Sequence, residues 1–103
     1  MAEVTLNGRS YPVLVNFNAL VSFLKSKGKD DLAGLADLQN LPLSDYPDLI
    51  AACINEAWRA AGSEERIDGN RIGEAAGSIF DVNNAITVIF EEMAPKVRER
   101  KKE

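Results

Sequence analysis

Apolar positions change period along the chain, and those changes divide it into elements. Val4-Thr5-Leu6 and Tyr11-Pro12-Val13-Leu14-Val15 are β-prone runs. Between them stands Asn7-Gly8, the dipeptide preferred in a type I′ turn, whose two central residues both need positive φ. The pattern predicts a hairpin with Pro12 on an edge or near a strand start, because proline cannot donate to a ladder. Two strands alone are marginal in water and need a helical face to pack on. From residue 16 the period lengthens. Asn16 or Asn18 can cap a helix in which Phe17, Leu20, Val21 and Leu24 share one face, widened by Phe23. Gly28 ends it, after Lys25 and Lys27.

A short second helix is expected from Lys29-Asp30-Asp31 through about Asn40. Leu32, Leu35 and Leu38 recur in it, and Gly34 weakens its middle. Leu41-Pro42-Leu43 reads as a linker whose apolar sides pack on the core. Ser44-Asp45-Tyr46-Pro47 starts a third helix, with capping residues ahead of a first-turn proline. Leu49, Ile50, Cys53, Ile54, Ala57 and Trp58 line its apolar face, Asp48, Asn55, Glu56 and Arg59 the other, and Ala61-Gly62-Ser63 closes it. After the charged loop Glu64-Glu65-Arg66, Asp68 caps a short fourth helix holding Ile72, Ala75, Ala76 and Ile79. Asp81 starts the last helix, where Val82, Ala85, Ile86, Ile89, Phe90 and Met93 recur with helical period and which Pro95 ends or kinks. The expected fold is α+β and mostly helical, an N-terminal β-hairpin followed by about five α-helices. It forms a single domain over residues 1–95, with a basic tail at 96–103.

Composition narrows the chemistry. The chain of 103 residues has no histidine, which removes the commonest general base and the commonest zinc ligand. One cysteine, Cys53, cannot form an internal disulfide, and on an apolar helix face it is a small inert hydrophobe. The acid pairs Asp30-Asp31, Glu64-Glu65 and Glu91-Glu92 are adjacent in sequence, so on a helix their members diverge by about 100° rather than converge. Asp68-Gly69-Asn70-Arg71-Ile72-Gly73 mimics a phosphate loop but lacks its Gly-Lys-Ser/Thr ending and follows no strand. No enzyme, cofactor or metal is expected.

Charge argues the same way about partners. Residues 1–95 carry a net −7, whereas the last eight carry +3. An acidic body opposes nucleic-acid binding, whose affinity rests on phosphate contacts, and basic residues do not interleave with Tyr46 or Trp58 as a stacking platform needs. The N-terminus lacks a signal-peptide pattern, and no apolar run approaches the ~20 residues of a membrane span. The expectation is a cytoplasmic protein with neither nucleic-acid nor membrane partners. The last helix is apolar around much of its girth over Ala85–Phe90, as in a helix deeply buried or shared with a partner. That makes Val88, Ile89, Phe90 and Met93, with Trp58, the candidate partner-binding residues, and self-association an expectation.

Asn7-Gly8-Arg9-Ser10-Tyr11-Pro12-Val13 followed by Val15-Asn16-Phe17-Asn18-Ala19-Leu20 resembles the start of small phage tail assembly chaperones. The layout beyond it is similar: a Leu-rich segment, a long helix ending at Gly62, a polar loop, then two helices ahead of a charged tail. The resemblance spans about residues 3–95. It implies a protein of a tailed phage or prophage, acting in the cytoplasm of the host bacterium. Such a protein binds the tape measure protein non-covalently and keeps it soluble until tail tube protein assembles around it. Apolar patches on such a protein cover apolar stripes of the client, and multiple copies supply avidity. The competing expectation is another small phage or bacterial interaction protein, a tail-completion subunit or a regulator.

Overall fold

The computed structural model describes residues 2–29 and 31–93, without the side chains of residues 32, 35 and 39. The expectations placed on Asp30, on the side chains of Leu32 and Leu35, on Pro95 and on the tail at 96–103 lie outside the described residues. The chain begins with strands β1 (Ala2–Leu6) and β2 (Arg9–Val13), paired antiparallel in the register Leu6↔Arg9 to Ala2↔Val13. Asn7 and Gly8 both have positive φ, 51° and 83°, as the two-residue turn demands. With Leu6–Arg9 as the closing hydrogen-bonded pair, the pairs alternate, so Glu3–Pro12 is a non-bonded pair. The missing N–H of Pro12 therefore faces the open edge of β2, where it discourages pairing with another strand.

Helices follow: α1 (Phe17–Ser26), a single short turn α2 (Leu32–Ala36) running into a 3-10 turn at Asp37–Asn40, and a second 3-10 turn at Leu43–Asp45. Then come α3 (Tyr46–Ala60), α4 (Gly69–Ala75) and α5 (Ile79–Met93). The α+β, mostly helical class is as expected, with four helices of seven residues or more and the one-turn α2. Asp31 starts α2 by accepting from the Gly34 N–H at 2.8 Å. Gly34 passes so close to the Lys29 carbonyl that no Cβ fits, which explains a glycine inside this turn.

The long α3 is the hub. Its buried residues Leu49, Ile50, Ala51, Cys53, Ile54 and Ala57 face β2, α1, α4 and α5, while β1 packs on α5. Each Leu or Ile buried this way contributes about 1.5–3 kcal/mol of transfer free energy. The hairpin thus acquires the apolar backing it needs: Val4, Leu6, Tyr11 and Val13 join the core. Helix capping fixes the connections. Asn16 caps α1, its Oδ1 accepting from Ala19 N–H at 2.9 Å, and Asp68 caps α4 by accepting from Arg71 N–H at 2.9 Å. Gly28 and Gly62 end α1 and α3 with φ of 69° and 82°.

Several expectations differ from the structure. Leu43, expected to pack on the core, is 56% exposed, and the second helix gives way to a 3-10 turn at Asp37. The buried face of α1 is Ala19, Phe23 and Leu24; Phe17 points out and is 75% exposed, because as the first helical residue it precedes the turn that packs on α3. Helix α4 stops at Ala75, Ala76 being extended, so Ile79 belongs to α5 and not to α4. Helix α5 starts two residues before Asp81. Asp81 sits in the first turn, and its Oδ2 accepts from the N–H groups of Gly77 and Asn7, each at 2.8 Å. One carboxylate thereby joins the hairpin turn to the start of α5.

Candidate functional site

The 3-10 turn at Leu43–Asp45 brings Leu43 beside Tyr46 at the start of α3, and the first turns of α5 bring Ile79, Phe80 and Asn83 opposite them. The five residues line a shallow groove of about 220 Å³. Its walls are apolar and open to water: Phe80 is 71% exposed, Ile79 58% and Leu43 56%. A scattered exposed leucine is ordinary, whereas here three large apolar side chains converge on one groove, which makes it the candidate interaction surface. The groove is rigidly framed. Asp81 anchors the α5 side through Asn7 and Gly77. On the α3 side Lys27 donates to Asp48 and pairs with Asp45 at 3.0 Å, locking the end of α1 to the start of α3. Both carboxylates raise the pKa of Lys27, Asp48 first, so the lock stays charged.

The residues chosen from the sequence fall elsewhere. Ile89 is fully buried in the core, facing inward with Ala85 and Ile86. Val88, Phe90 and Met93 are half-buried and pack against that core, as does Trp58, whose ring lies 6.5 Å from that of Tyr11 at 56°. The structure therefore spreads the five over the core and its margins, away from the exposed groove. What the sequence reading missed is Ile79 and Phe80. Periodicity puts Ile79 on the same side of α5 as buried Ile86, seven residues on. Only the three-dimensional path shows that the helix overshoots the core by its first turns.

The polar interior is built around Glu56, which is 6% exposed. Arg59 grips it bidentately, Nε to Oε1 at 2.9 Å and Nη2 to Oε2 at 2.7 Å, and Asn16 Nδ2 donates to Oε2 at 2.8 Å. Asn16 thus caps α1 with one end of its amide and holds Glu56 with the other. The Arg59 bonds, ahead of the Asn16 bond, lower the carboxyl pKa from 4.5 to about 2 in spite of burial. The sign follows from linkage. The folded pKa is depressed, so this stabilisation is whole above pH 4.5 and fades as pH falls toward 2. Denaturant titrations at about pH 5 and about pH 3 are expected to show a larger loss for the native chain than for Glu56→Gln, which carries no charge to lose. Equal losses would contradict this.

Cys53 is buried in α3, and burial pushes its thiol up to about 12, so it is not a nucleophile near neutral pH. Among the described residues no group of three or more Cys, Asp or Glu side chains is placed to hold a metal ion, and no helix is long and apolar enough to cross a membrane. Comparison of the chain with protein-family models, with curated proteins and with solved structures finds no significant match.

Proposed function

We propose that this chain is a tail assembly chaperone of a tailed phage or prophage. It binds the tape measure protein non-covalently and keeps that long helical client soluble in the host cytoplasm until tail tube protein assembles around it. The observation that carries the reading is the exposed apolar groove formed by Leu43, Tyr46, Ile79 and Phe80 on a body of net charge −7 over residues 1–95. Such a groove accepts apolar side chains of a helical client, and the acidic surface around it keeps the coated complex soluble. The likeness of residues 7–20 to the start of such chaperones supports the same reading. No catalytic step is part of it, and self-association of several copies along one client would supply avidity. The test is co-expression with the long reading frame downstream of this gene. Soluble recovery of that client and its co-purification with this chain are expected. An insoluble client with nothing co-eluting would overturn the proposal.

A further inference from the structure

A second groove, of about 420 Å³, lies near the C-terminal end of α3, lined by the hairpin, the loop after α3 and α4. Residues 1–95 hold four arginines, and three of them, Arg9, Arg66 and Arg71, line it. Among the described residues none of these three is in an ion pair; the fourth, Arg59, is the one committed to Glu56. Two of the three are held in different ways. Arg9 lies over the ring of Tyr11, its guanidinium carbon 4.8 Å from the centroid, and Tyr11 in turn leans on Trp58. Arg66 is held by the Ser63 carbonyl at 3.0 Å and the Glu65 carbonyl at 2.6 Å. That loop is itself pinned to α3, because Asn55 donates to the Ile67 carbonyl and accepts from the Ile67 N–H, both at 2.8 Å. Arg71, on α4, lines the same groove. The size is that of a ligand pocket, and planar guanidiniums with spare donors are matched to carboxylates.

We infer that this groove binds an acidic peptide segment, whose carboxylate side chains pair with Arg9 and Arg71 while an apolar neighbour rests on the Tyr11–Trp58 edge. One feature favours a peptide over a phosphate-bearing ligand: Glu65 and Glu74 line the groove, and their carboxylates accept N–H groups that a peptide backbone supplies and a phosphate lacks. Docking is through side chains and not by strand addition, because Pro12 blunts the open edge of β2. This site is separate from the apolar groove, and neither reading depends on the other.

Trp58 is the sole tryptophan of the chain and lines the groove, so its emission reports occupancy in the full chain. The probe is a blocked pentapeptide, Glu-Glu-Leu-Glu-Glu, with a control in which every Glu is replaced by Gln. Inorganic phosphate and tripolyphosphate form a third arm. A saturable change is expected with the acidic peptide alone, weakened by raising salt from about 0.05 to about 0.5 M. Arg71→Gln is expected to weaken it about tenfold, the loss of one charge-assisted pair. Arg9→Gln should act likewise, and Ile79→Asp should leave it unchanged. Arg71 is exposed on α4, so its variant keeps the fold whatever Arg9→Gln does to Tyr11. No saturable change, an equal response to the Gln control, or binding indifferent to Arg71→Gln would overturn the inference. So would a response to phosphate as strong as that to the peptide.

Discussion

Phe80→Asp is expected to abolish rescue of the client while leaving the fold as it is. Phe80 is 71% exposed at the first turn of α5, so the free protein loses little by the change. An exposed substitution of this kind shifts stability by at most about 0.5 kcal/mol, or about 4 °C in melting temperature. A bound client would bury the new carboxylate against apolar side chains with no cation built in to meet it. Central aromatic anchors cost about 2–4 kcal/mol when lost, which is about thirtyfold or more in affinity. Ile79→Asp should act in the same direction, since Ile79 lines the same groove. The check is a melting curve beside soluble client yield and co-purification. A variant that melts like the native chain and still rescues the client would remove the groove from the mechanism.

Ile89→Ala is expected to act through the fold. Ile89 is wholly buried on α5, in the core that β1 and α3 share with that helix. Truncating such a side chain removes its transfer free energy and leaves a cavity, at a cost of about 2–5 kcal/mol. Against a total stability of about 5–15 kcal/mol this is a large fraction. For a domain of this size it lowers the melting temperature by roughly 10–25 °C. Binding measured well below the new melting temperature should be unaltered, because no atom of Ile89 is open to a partner. A small thermal shift with lost client binding would mean the opposite, that Ile89 acts as a contact. Phe80 and Ile89 stand nine residues apart on one helix, and the two variants separate contact from core.

Much of this division was legible in the sequence because it depends on local chemistry. The Asn7-Gly8 turn, the Asp68 cap, the first-turn proline of α3 and the glycines that end α1 and α3 are set by backbone sterics within a few residues. The apolar stripe of α3 was legible for a related reason. A long helix buried on one side repeats its pattern often enough to be unambiguous. What was hidden depends on where elements end in space. Ile79, Val82, Ala85, Ile86 and Ile89 follow one helical period, yet Ile89 is core and Ile79 is surface, because β1 and α3 cover only part of the helix. Phe17 was misplaced for the same reason at the start of α1. The candidate contacts chosen by apolarity, Val88, Ile89, Phe90, Met93 and Trp58, are residues that the core already uses wholly or in part. The arginine groove was equally invisible. Arg9 is far in sequence from Arg66 and Arg71 and joins them only when the hairpin and α4 fold against α3.

The most direct test of the apolar groove as the docking surface is amide hydrogen exchange of the chain with and without its client. The N–H groups of a helix's first turn have no partner within the helix, and that of Phe80 donates only to the exposed Ser78 hydroxyl at 3.2 Å, so those of Ile79 and Phe80 are expected to exchange readily in the free protein. Bound client is expected to slow exchange at residues 43–46 and 79–83, with little change along the second half of α5. Slowing confined to residues 88–93, with none at 79–83, would contradict the account and return the contact surface to the far end of that helix.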